Sequence, residues 1–318
     1  MKNRKPKMIR FTKKDFDKMF PDDATCLEWL KNRLYPDGIF CDACQAITKH
    51  HRVQSRPSYS CDHCGHHVHP TADTIFHKSP TPLTTWFYAI YLMASTRCGI
   101  SAAQIQRETG VTYKTAWRMF KQIRTMLDDE NASPLGGKNG NGVEIDETYI
   151  GGRRRGARGR VNAELSPDKK TPVVGVVERK GSVRAYVTLD TKKDTIMGII
   201  KERVLPQSTV FTDDYAVYDD LGHHRNEYIH HRIRHNEKVY VVGNVHTNTI
   251  DGFWSLVKNG IRGVYHSVGK HYLQTYLNEY SFRYNRRFDE QPMFLSFLQQ
   301  VEKRDAVVRQ TESIPEPF

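Results

Sequence analysis

The sequence has 318 residues, of which 38% are hydrophobic, and it carries a formal net charge of +12 with an isoelectric point of about 9.3. This length and composition exclude a disordered chain and allow two or three domains with at least one sizeable core. No apolar run approaches the roughly 18–20 residues that cross a bilayer, and the basic N-terminus lacks a signal peptide's apolar stretch. We therefore expect a cytoplasmic protein with no membrane partner. The excess charge favours a polyanionic partner, nucleic acid ahead of a membrane surface, although a solvated basic surface is the alternative.

Residues 1–80 are predicted to form two short helices followed by a metal-binding module. Cys41 and Cys44 form one CxxC pair, and Cys61 and Cys64 form a second pair after sixteen intervening residues. Each pair turns two thiolates toward one point, so that two pairs complete a tetrahedral site that suits structural Zn²⁺. The alternatives are four free thiols or a site in which a nearby histidine replaces one cysteine, namely His63, His66, His67 or His69.

Residues 81–130 are predicted to be helical and to include a helix-turn-helix-like segment. Ser101 is the expected N-cap of a first helix, and Thr112 is the expected N-cap of a second helix that runs to about Leu127. A recognition helix presents the side chains near its start to the DNA major groove, and the candidates here are Tyr113, Lys114 and Arg118. An ordinary helical hairpin is the alternative. The Gly-, Asn- and Ser-rich stretch 131–142 is expected to be a linker.

Residues 143–305 alternate strand and helix patterns, which predicts an α/β domain, and 306–318 are expected to be a tail. Strands are predicted at 143–152, 171–180, 182–190, 208–214 and 227–233, and helices at 191–204, 247–261 and 270–286. Three strands, a helix, two strands and a further helix match the order of the ribonuclease-H-like fold. That fold is a mixed sheet with flanking helices.

Three aspartates occupy the places where that fold carries acidic residues: Asp146 on the first strand, Asp213 at the end of the fourth strand and Asp251 on a later helix. Hard divalent ions such as Mg²⁺ or Mn²⁺ prefer oxygen ligands. Two such ions about 3.5–4 Å apart can activate an attacking oxygen and stabilise a leaving one. Asp214 is the alternative to Asp213, and any single aspartate could instead be a solvated or capping residue. Glu147 is expected to face away from the site and to be structural.

The helix that carries Asp251 supplies a further catalytic candidate, Lys258, two helical turns later on the same face. A lysine there could hold a DNA phosphate near the metal ions. Trp254 is expected to pack the helix against the sheet, and Asn248 or Thr249 is expected to cap the helix.

An arginine-rich loop follows the first strand, with glycines between the basic residues. Such a run can neutralise DNA phosphates beside a metal site, whereas a mobile solvated loop is the alternative. The candidates for DNA binding are Arg153, Arg154, Arg155, Arg158 and Arg160.

The motifs that stand out together are the CxxC pairs, the sequence IDETYIGGRRR, a Thr-Asp followed by Tyr215 and Tyr218, and the block HTNTIDGFWSLVKNGIRGVYHSVGKHYLQTYLNEYSFRYNRR. Over roughly residues 20–300 the chain resembles the ISXO-two-like insertion-sequence transposases, which join a zinc ribbon to a DDE-type nuclease domain. The resemblance implies Mg²⁺- or Mn²⁺-dependent cutting and joining of DNA by an oligomer on paired DNA ends. The third acid of the DDE pattern is commonly glutamate, whereas this sequence has the shorter Asp251.

The resemblance implies two kinds of double-stranded DNA partner, the terminal inverted repeats of the element and its target. It also implies a location at the nucleoid. Two other functions remain open at this point. One is a domesticated DNA-binding regulator whose nuclease domain is silent, and the other is a stand-alone nuclease without joining activity. The presence of all three aspartates and Lys258 favours the transposase hypothesis, because a protein that only binds DNA does not need them.

Overall fold

The computed structural model of the chain describes residues 9–128, 132–151, 170–223, 227–233 and 246–303. The chain divides into two compact units, one formed by Met1–Met126 with Asp289–Phe318 and the other by Leu127–Phe288. In the ranges just given, no helix is both long enough and apolar enough to span a bilayer.

The first unit combines a helical core with a small antiparallel β module. Its elements are α1 (Lys13–Met19), α2 (Asp23–Leu34), β1 (Phe40–Cys41), β2 (Ala46–Ile47), β3 (His50–Val53), β4 (Ser58–Cys61), β5 (His67–Val68), α3 (Leu83–Ser95), α4 (Ala102–Thr109) and α5 (Tyr113–Thr125). β1 pairs with β2, and β3, β4 and β5 form a three-stranded sheet. β1 carries Cys41 and β4 carries Cys61, so the two CxxC pairs belong to separate sheets, as expected of a ribbon.

The helix pair α4–α5 has the caps that the sequence predicts. The Ser101 side chain accepts a hydrogen bond from the Gln104 N–H at 3.2 Å, and the Thr112 side chain accepts one from the Thr115 N–H at 3.2 Å. Gly110 ends α4 in the left-handed region at φ 72°, where a residue with a side chain would be strained. The two helices and the turn between them are therefore confirmed.

The second unit is built around a five-stranded mixed sheet. Its elements are β6 (Leu135–Gly136), β7 (Val143–Ile150), β8 (Thr171–Glu178), β9 (Val183–Val187), α6 (Lys193–Arg203), β10 (Val204–Leu205), β11 (Ser208–Thr212), α7 (Asp219–His223), β12 (Tyr228–Arg232), α8 (Asn248–Gly260) and α9 (Leu273–Asn285). The strand order is β12-β11-β7-β8-β9, in which β7, β11 and β12 are parallel and β8 is antiparallel to both its neighbours. Each strand and helix predicted between residues 143 and 286 is present.

Two hydrophobic clusters cover opposite faces of this sheet. One cluster joins Val143 and Ile145 of β7 to buried residues of α6, and the other joins strand residues to α8 and α9. Because side chains alternate along a strand, Glu144 and Asp146 face the opposite way from Val143 and Ile145. Both acidic side chains accept hydrogen bonds from residues of α8, which places them on the α8 side of the sheet.

Part of the stretch 131–142, which we expected to be a linker, is a strand of the second unit. β6 pairs in parallel with β10, and Leu135 is buried. Gly136 has φ +85°, and a Cβ atom there would lie 2.4 Å from the Ser208 Oγ. Gly136 thus lets the backbone lie close to the Ser208 side chain. The composition of the stretch 131–142 had instead indicated a flexible linker.

After the second unit, the chain returns to the first unit, where it forms α10 (Met293–Leu298). The Phe294 ring lies among aromatic rings of α1 and α3, with its centroid 5.6 Å from that of Phe16 and 5.8 Å from that of Tyr91. Aromatic side chains contribute large buried areas to a core, so α10 helps to close the core of the first unit.

Candidate zinc centre and active site

The four cysteines of the ribbon lie together, as predicted. All four Sγ atoms are within 4.8 Å of one another, with Cys41 and Cys64 3.5 Å apart and Cys44 and Cys61 3.9 Å apart. Thiolates bound tetrahedrally about 2.3 Å from Zn²⁺ would be about 3.8 Å apart. The sulfur positions therefore fit a structural zinc ion, and among the described residues no histidine joins this group of ligands.

The thiols of this centre differ in their readiness to lose a proton. The Thr48 hydroxyl lies 3.1 Å from the Cys61 Sγ, and this hydrogen bond is the main cause that lowers the pKa of Cys61 to about 5. Hydrogen bonding with Cys64, followed by burial, raises the pKa of Cys44 to about 12. Zinc binds the thiolate form of cysteine, so zinc binding would release the protons of the thiols.

Asp146 and Asp251 come from different elements, and Trp254 of the helix that carries Asp251 contacts Asp146. Asp146 lies in β7, and its Oδ2 accepts a hydrogen bond of 2.9 Å from the Trp254 Nε1 of α8. Asp251 lies in the first turn of α8, where its Oδ2 accepts a hydrogen bond of 3.3 Å from the Thr247 hydroxyl. Trp254 is buried in the cluster between helix and sheet, so it packs as predicted and also orients a carboxylate.

Asp213 follows β11 directly and accepts a hydrogen bond of 3.1 Å from the Tyr215 N–H at its Oδ1. β11 is parallel to β7 with Phe211 opposite Glu144, and extending this register by two residues brings Asp213 beside Asp146. β11 therefore ends next to the middle of β7, which continues to Ile150.

Asp213 and Asp251 each lie near enough to Asp146 to raise its pKa. The pKa of Asp146 is raised to about 7, mainly by burial and then by the carboxylates of Glu147, Asp213 and Asp251 in that order. No lysine or arginine in the described part of the chain forms an ion pair with Asp146, Asp213 or Asp251. A group of like charges without a cationic side chain is an arrangement that a bound metal cation would stabilise.

Glu147 serves a different contact on the opposite side of the strand. The Tyr218 hydroxyl donates a hydrogen bond of 2.7 Å to the Glu147 Oε2. Burial raises the pKa of Glu147, and burial next to Glu147 raises the pKa of Tyr218 well above its usual value. This contact agrees with the structural role expected for Glu147.

The three aspartates do not form a compact ligand group of the kind that the cysteines form in the described residues. In the described ranges, the four cysteines are the one group of three or more ligand residues whose ligand atoms lie within 4.8 Å of one another.

Gly175 is a residue of the site that the sequence reasoning missed. It lies opposite Asp146 in the β7–β8 ladder, and a Cβ atom there would lie 2.4 Å from the Trp254 ring. The missing side chain leaves room for the indole beside Asp146. A glycine inside a run of strand-forming valines was the available signal, because such a glycine often marks a close approach.

Lys258 does not contact the aspartates in the described structure. It is half-buried on α8 and lines an open cleft of 520 Å³ next to the end of β7. Lys170, Arg262 and His266 line the same cleft, and so does the half-exposed ring of Tyr149. The cleft therefore offers several positive or hydrogen-bonding groups at the end of β7 and the C-terminal part of α8.

The remaining DNA-binding candidates fall into two groups. Tyr113 is 54% exposed and Lys114 is exposed at the start of α5, whereas the Arg118 Nη2 donates a hydrogen bond of 3.1 Å to the Ser79 Oγ. The arginine-rich loop lies outside the described residues, and with it the candidates Arg153, Arg154, Arg155, Arg158 and Arg160.

The chain is a mixed α/β protein with a four-cysteine ribbon, and comparison with known proteins identifies its family. Its residues 21–67 match the transposase zinc-ribbon domain, and residues 135–285 match the ISXO2-like transposase domain. A protein of Halobacterium salinarum described as an "uncharacterized protein in transposable element ISH50" is 26% identical over 282 residues, covering 84% of this chain and 92% of that protein. An "uncharacterized transposase-like protein" of Haemophilus influenzae is 30% identical over 128 residues, covering 40% of this chain and 99% of that protein. The chain therefore belongs to the ISXO2-like transposases with an N-terminal zinc ribbon, which confirms the resemblance drawn from its motifs.

Proposed function

We propose that this transposase cuts and joins the DNA ends of a mobile insertion sequence at a site formed by Asp146, Asp213 and Asp251 with Mg²⁺ or Mn²⁺. The observation that carries the proposal is that Asp213 and Asp251 both act on the carboxylate of Asp146. The three residues belong to a strand, to the end of a neighbouring strand and to a helix, yet Asp213 and Asp251 both raise the pKa of Asp146.

The second unit is proposed to have the ribonuclease-H-like fold. The support is the strand order β12-β11-β7-β8-β9 with its antiparallel β7–β8–β9 part, and helices on both faces. The three aspartates lie on the first long strand, after the fourth and on a later helix, which is the distribution that the fold requires.

The proposed reaction consists of two exchanges of one phosphorus–oxygen bond for another. Water first attacks a phosphodiester at the element's end, which releases a DNA 3′-hydroxyl and leaves a 5′-phosphate. That 3′-hydroxyl then attacks a target phosphodiester and displaces a target 3′-oxygen, with the protons passing to solvent. Divalent ions held by the three carboxylates would lower the charge on the attacking and leaving oxygens.

The protein's own groups would orient these reactants. The Trp254 indole N–H fixes one oxygen of Asp146, and the Thr247 hydroxyl does the same for Asp251. Lys258 and Arg262 line the cleft beside the site, where they would bind the phosphates that flank the reacting one.

The first unit is proposed to bind the terminal inverted repeats. The exposed start of α5 supplies Tyr113 and Lys114, and a separate cleft of 660 Å³ includes Arg52, Arg56 and Lys78 of the same unit. Cutting and joining paired ends calls for a homo-oligomer on the DNA, which acts at the nucleoid.

The test is Mg²⁺-dependent nicking of a duplex that carries the element's end, followed by insertion of a pre-cut end with a 3′-hydroxyl into a target plasmid. We expect the wild type to perform both reactions and Asp146→Asn to bind the same duplex while losing both. Wild-type binding without nicking or joining would contradict the proposal and favour a DNA-binding regulator. Nicking without joining would favour a stand-alone nuclease.

A further inference from the structure

A buried glutamate beside the carboxylate site has no role in the chemistry described so far. Glu144 is fully buried in β7, two residues before Asp146 and on the same face of the strand. A buried carboxylate is unfavourable unless hydrogen bonds or opposite charges compensate for the lost water. The partners of Glu144 therefore indicate what it does.

The first partners are backbone groups at the start of α8. The Glu144 Oε2 accepts hydrogen bonds from the N–H groups of Thr249 at 2.8 Å and Ile250 at 3.0 Å, while its Oε1 accepts one of 2.9 Å from the Thr249 hydroxyl. The helix begins at Asn248, so Thr247 is in the N-cap position and the predicted cap by Asn248 or Thr249 is wrong. The Thr247 side chain makes no cap hydrogen bond. The cap comes instead from a different element, because an anion is stabilised at a helix N-terminus.

Arg179 is the second partner, directly after β8. Its Nε donates a hydrogen bond of 2.7 Å to the Glu144 Oε1, and its Nη2 donates one of 2.5 Å to the His246 carbonyl oxygen just before α8. The Arg179 guanidinium also stacks on the Phe211 ring at 3.8 Å from the ring centroid. The guanidinium therefore ties Glu144 to the segment that leads into the helix.

These contacts attach the first turn of α8, which carries Asp251, to β7. The Asp251 N–H donates to the Thr247 carbonyl oxygen at 3.1 Å, so Asp251 lies in the same first turn that Glu144 caps. One turn further on, Trp254 donates to Asp146. A shift of the helix by one residue would move Asp251 by about 1.5 Å along its axis, which is large compared with the tolerance of a metal site.

We propose that Glu144 is a positioning residue of the carboxylate site, which anchors the N-terminus of α8 to β7 and thereby sets the place of Asp251 relative to Asp146. This inference rests on the proposed function for its effect on metal-dependent cutting. The anchoring itself is a property of the folded chain. Glu144 need not touch metal or DNA to act in this way.

A matched control comes from a second buried ion pair in the same unit. Glu279 and Arg283 are both buried in α9, where the Arg283 Nη2 donates a hydrogen bond of 2.6 Å to the Glu279 Oε1. Glu144→Gln and Glu279→Gln each replace a buried carboxylate next to an arginine by a neutral amide of the same size. Only the first change presents an amide NH₂ to the donors at the start of α8 or to Arg179.

The experiment measures nicking by the full chain against Mg²⁺ concentration at a temperature where all variants are folded. For Glu144→Gln we expect the half-saturating Mg²⁺ concentration to rise by about 10-fold or more and the maximal rate to fall by about 10-fold or more. Loss of groups that orient metal ligands typically costs about 10–100-fold in metal affinity or activity. For Glu279→Gln we expect both values to stay within about 2-fold of wild type, as for changes that affect folding only. Equal behaviour of the two variants would overturn the proposal.

Hydrogen–deuterium exchange of the full chain without Mg²⁺ gives a readout that does not need activity. Glu144→Gln should speed exchange of amides in the first turn of α8 and leave those of α9 unchanged. Unchanged exchange in α8 would overturn the anchor, and faster exchange with an unchanged Mg²⁺ dependence would overturn the positioning role. A wild type that neither nicks nor joins DNA would instead overturn the proposed function, and the exchange result would still decide the anchor.

Discussion

At the scale of single residues, the surroundings of Asp146 disfavour the ionised form of its carboxyl group. Its pKa is raised from 3.8 to about 7 by burial and by three neighbouring carboxylates. Because the folded-state pKa lies above the unfolded-state value, the protonated form stabilises the fold below about pH 4. This contribution is lost as the pH rises through 7. A metal cation is the natural compensation at neutral pH.

Asp146→Asn should therefore stabilise the magnesium-free protein at pH 8 and have little effect at pH 4. A shift of about three pKa units sets an upper limit of about 4 kcal/mol, and we expect a midpoint of thermal unfolding that is higher by a few degrees. Thermal unfolding at both pH values checks this, with the exposed Asp214→Asn as a control that should match the wild type. A destabilised Asp146→Asn at pH 8 would contradict the electrostatic account.

A second comparison at the residue scale separates Asp213 from Asp214. Asp213 acts on the pKa values of Asp146, Glu147 and Tyr218, whereas Asp214 is exposed and contributes to none of them. We expect Asp213→Asn to lower the rate of Mg²⁺-dependent nicking by about 100-fold or more, and Asp214→Asn to change it by less than about 3-fold. Equal losses in a nicking time course would refute the choice of Asp213.

At the scale of elements, local patterns predicted the framework but not the contacts between its parts. The alternation in 143–152 predicted β7, and because its period is two it also placed Asp146 on one face of the strand. The same period puts Glu144 on that face, but nothing local indicates that it caps a helix more than a hundred residues later. Such a cap depends on tertiary packing.

Gly175 gives the prediction that belongs to this scale. In Gly175→Ala the new Cβ atom would overlap the Trp254 ring, and the ring would have to move away from Asp146. Overpacking of this kind costs about 1–3 kcal/mol, so thermal unfolding should show a clear loss of stability. Nicking should fall as well, because the indole N–H would no longer hold the carboxylate.

The control is Gly198→Ala in the interior of α6, where an added Cβ atom meets nothing within 4 Å. Alanine is favoured over glycine in a helix by about 1 kcal/mol, so this variant should be slightly more stable than the wild type. A Gly175→Ala protein with wild-type stability and nicking would show that the indole has room that the structure does not provide.

At the scale of the whole molecule, no local pattern predicted that residues after the second unit belong to the first unit. The segment from Asp289 returns to the first unit, where Phe294 packs with rings from α1 and α3. A helical pattern reveals that a face is apolar, but it does not reveal which distant residues cover that face. The ribbon was easier to predict, because two CxxC pairs specify their own ligand geometry.

The zinc centre provides the prediction for the first unit. Purified protein should contain one zinc ion per chain, and Cys64→Ser should lose it, because the Cys64 sulfur lies within 4.8 Å of the other three. Metal analysis checks the content, and thermal unfolding should show a loss of several kcal/mol in the zinc-free variant. Cys98→Ser is the control, since Cys98 lies outside the four-cysteine group, and it should keep its zinc. Full zinc content in Cys64→Ser would contradict the ligand assignment.

The central claim is that three aspartates from separate elements share divalent ions, and anomalous diffraction from crystals containing Mn²⁺ tests it most directly. The account predicts Mn²⁺ peaks about 2.1 Å from carboxylate oxygens of Asp146, Asp213 and Asp251. Manganese bound elsewhere, or bound to one of these aspartates without the other two, would contradict it.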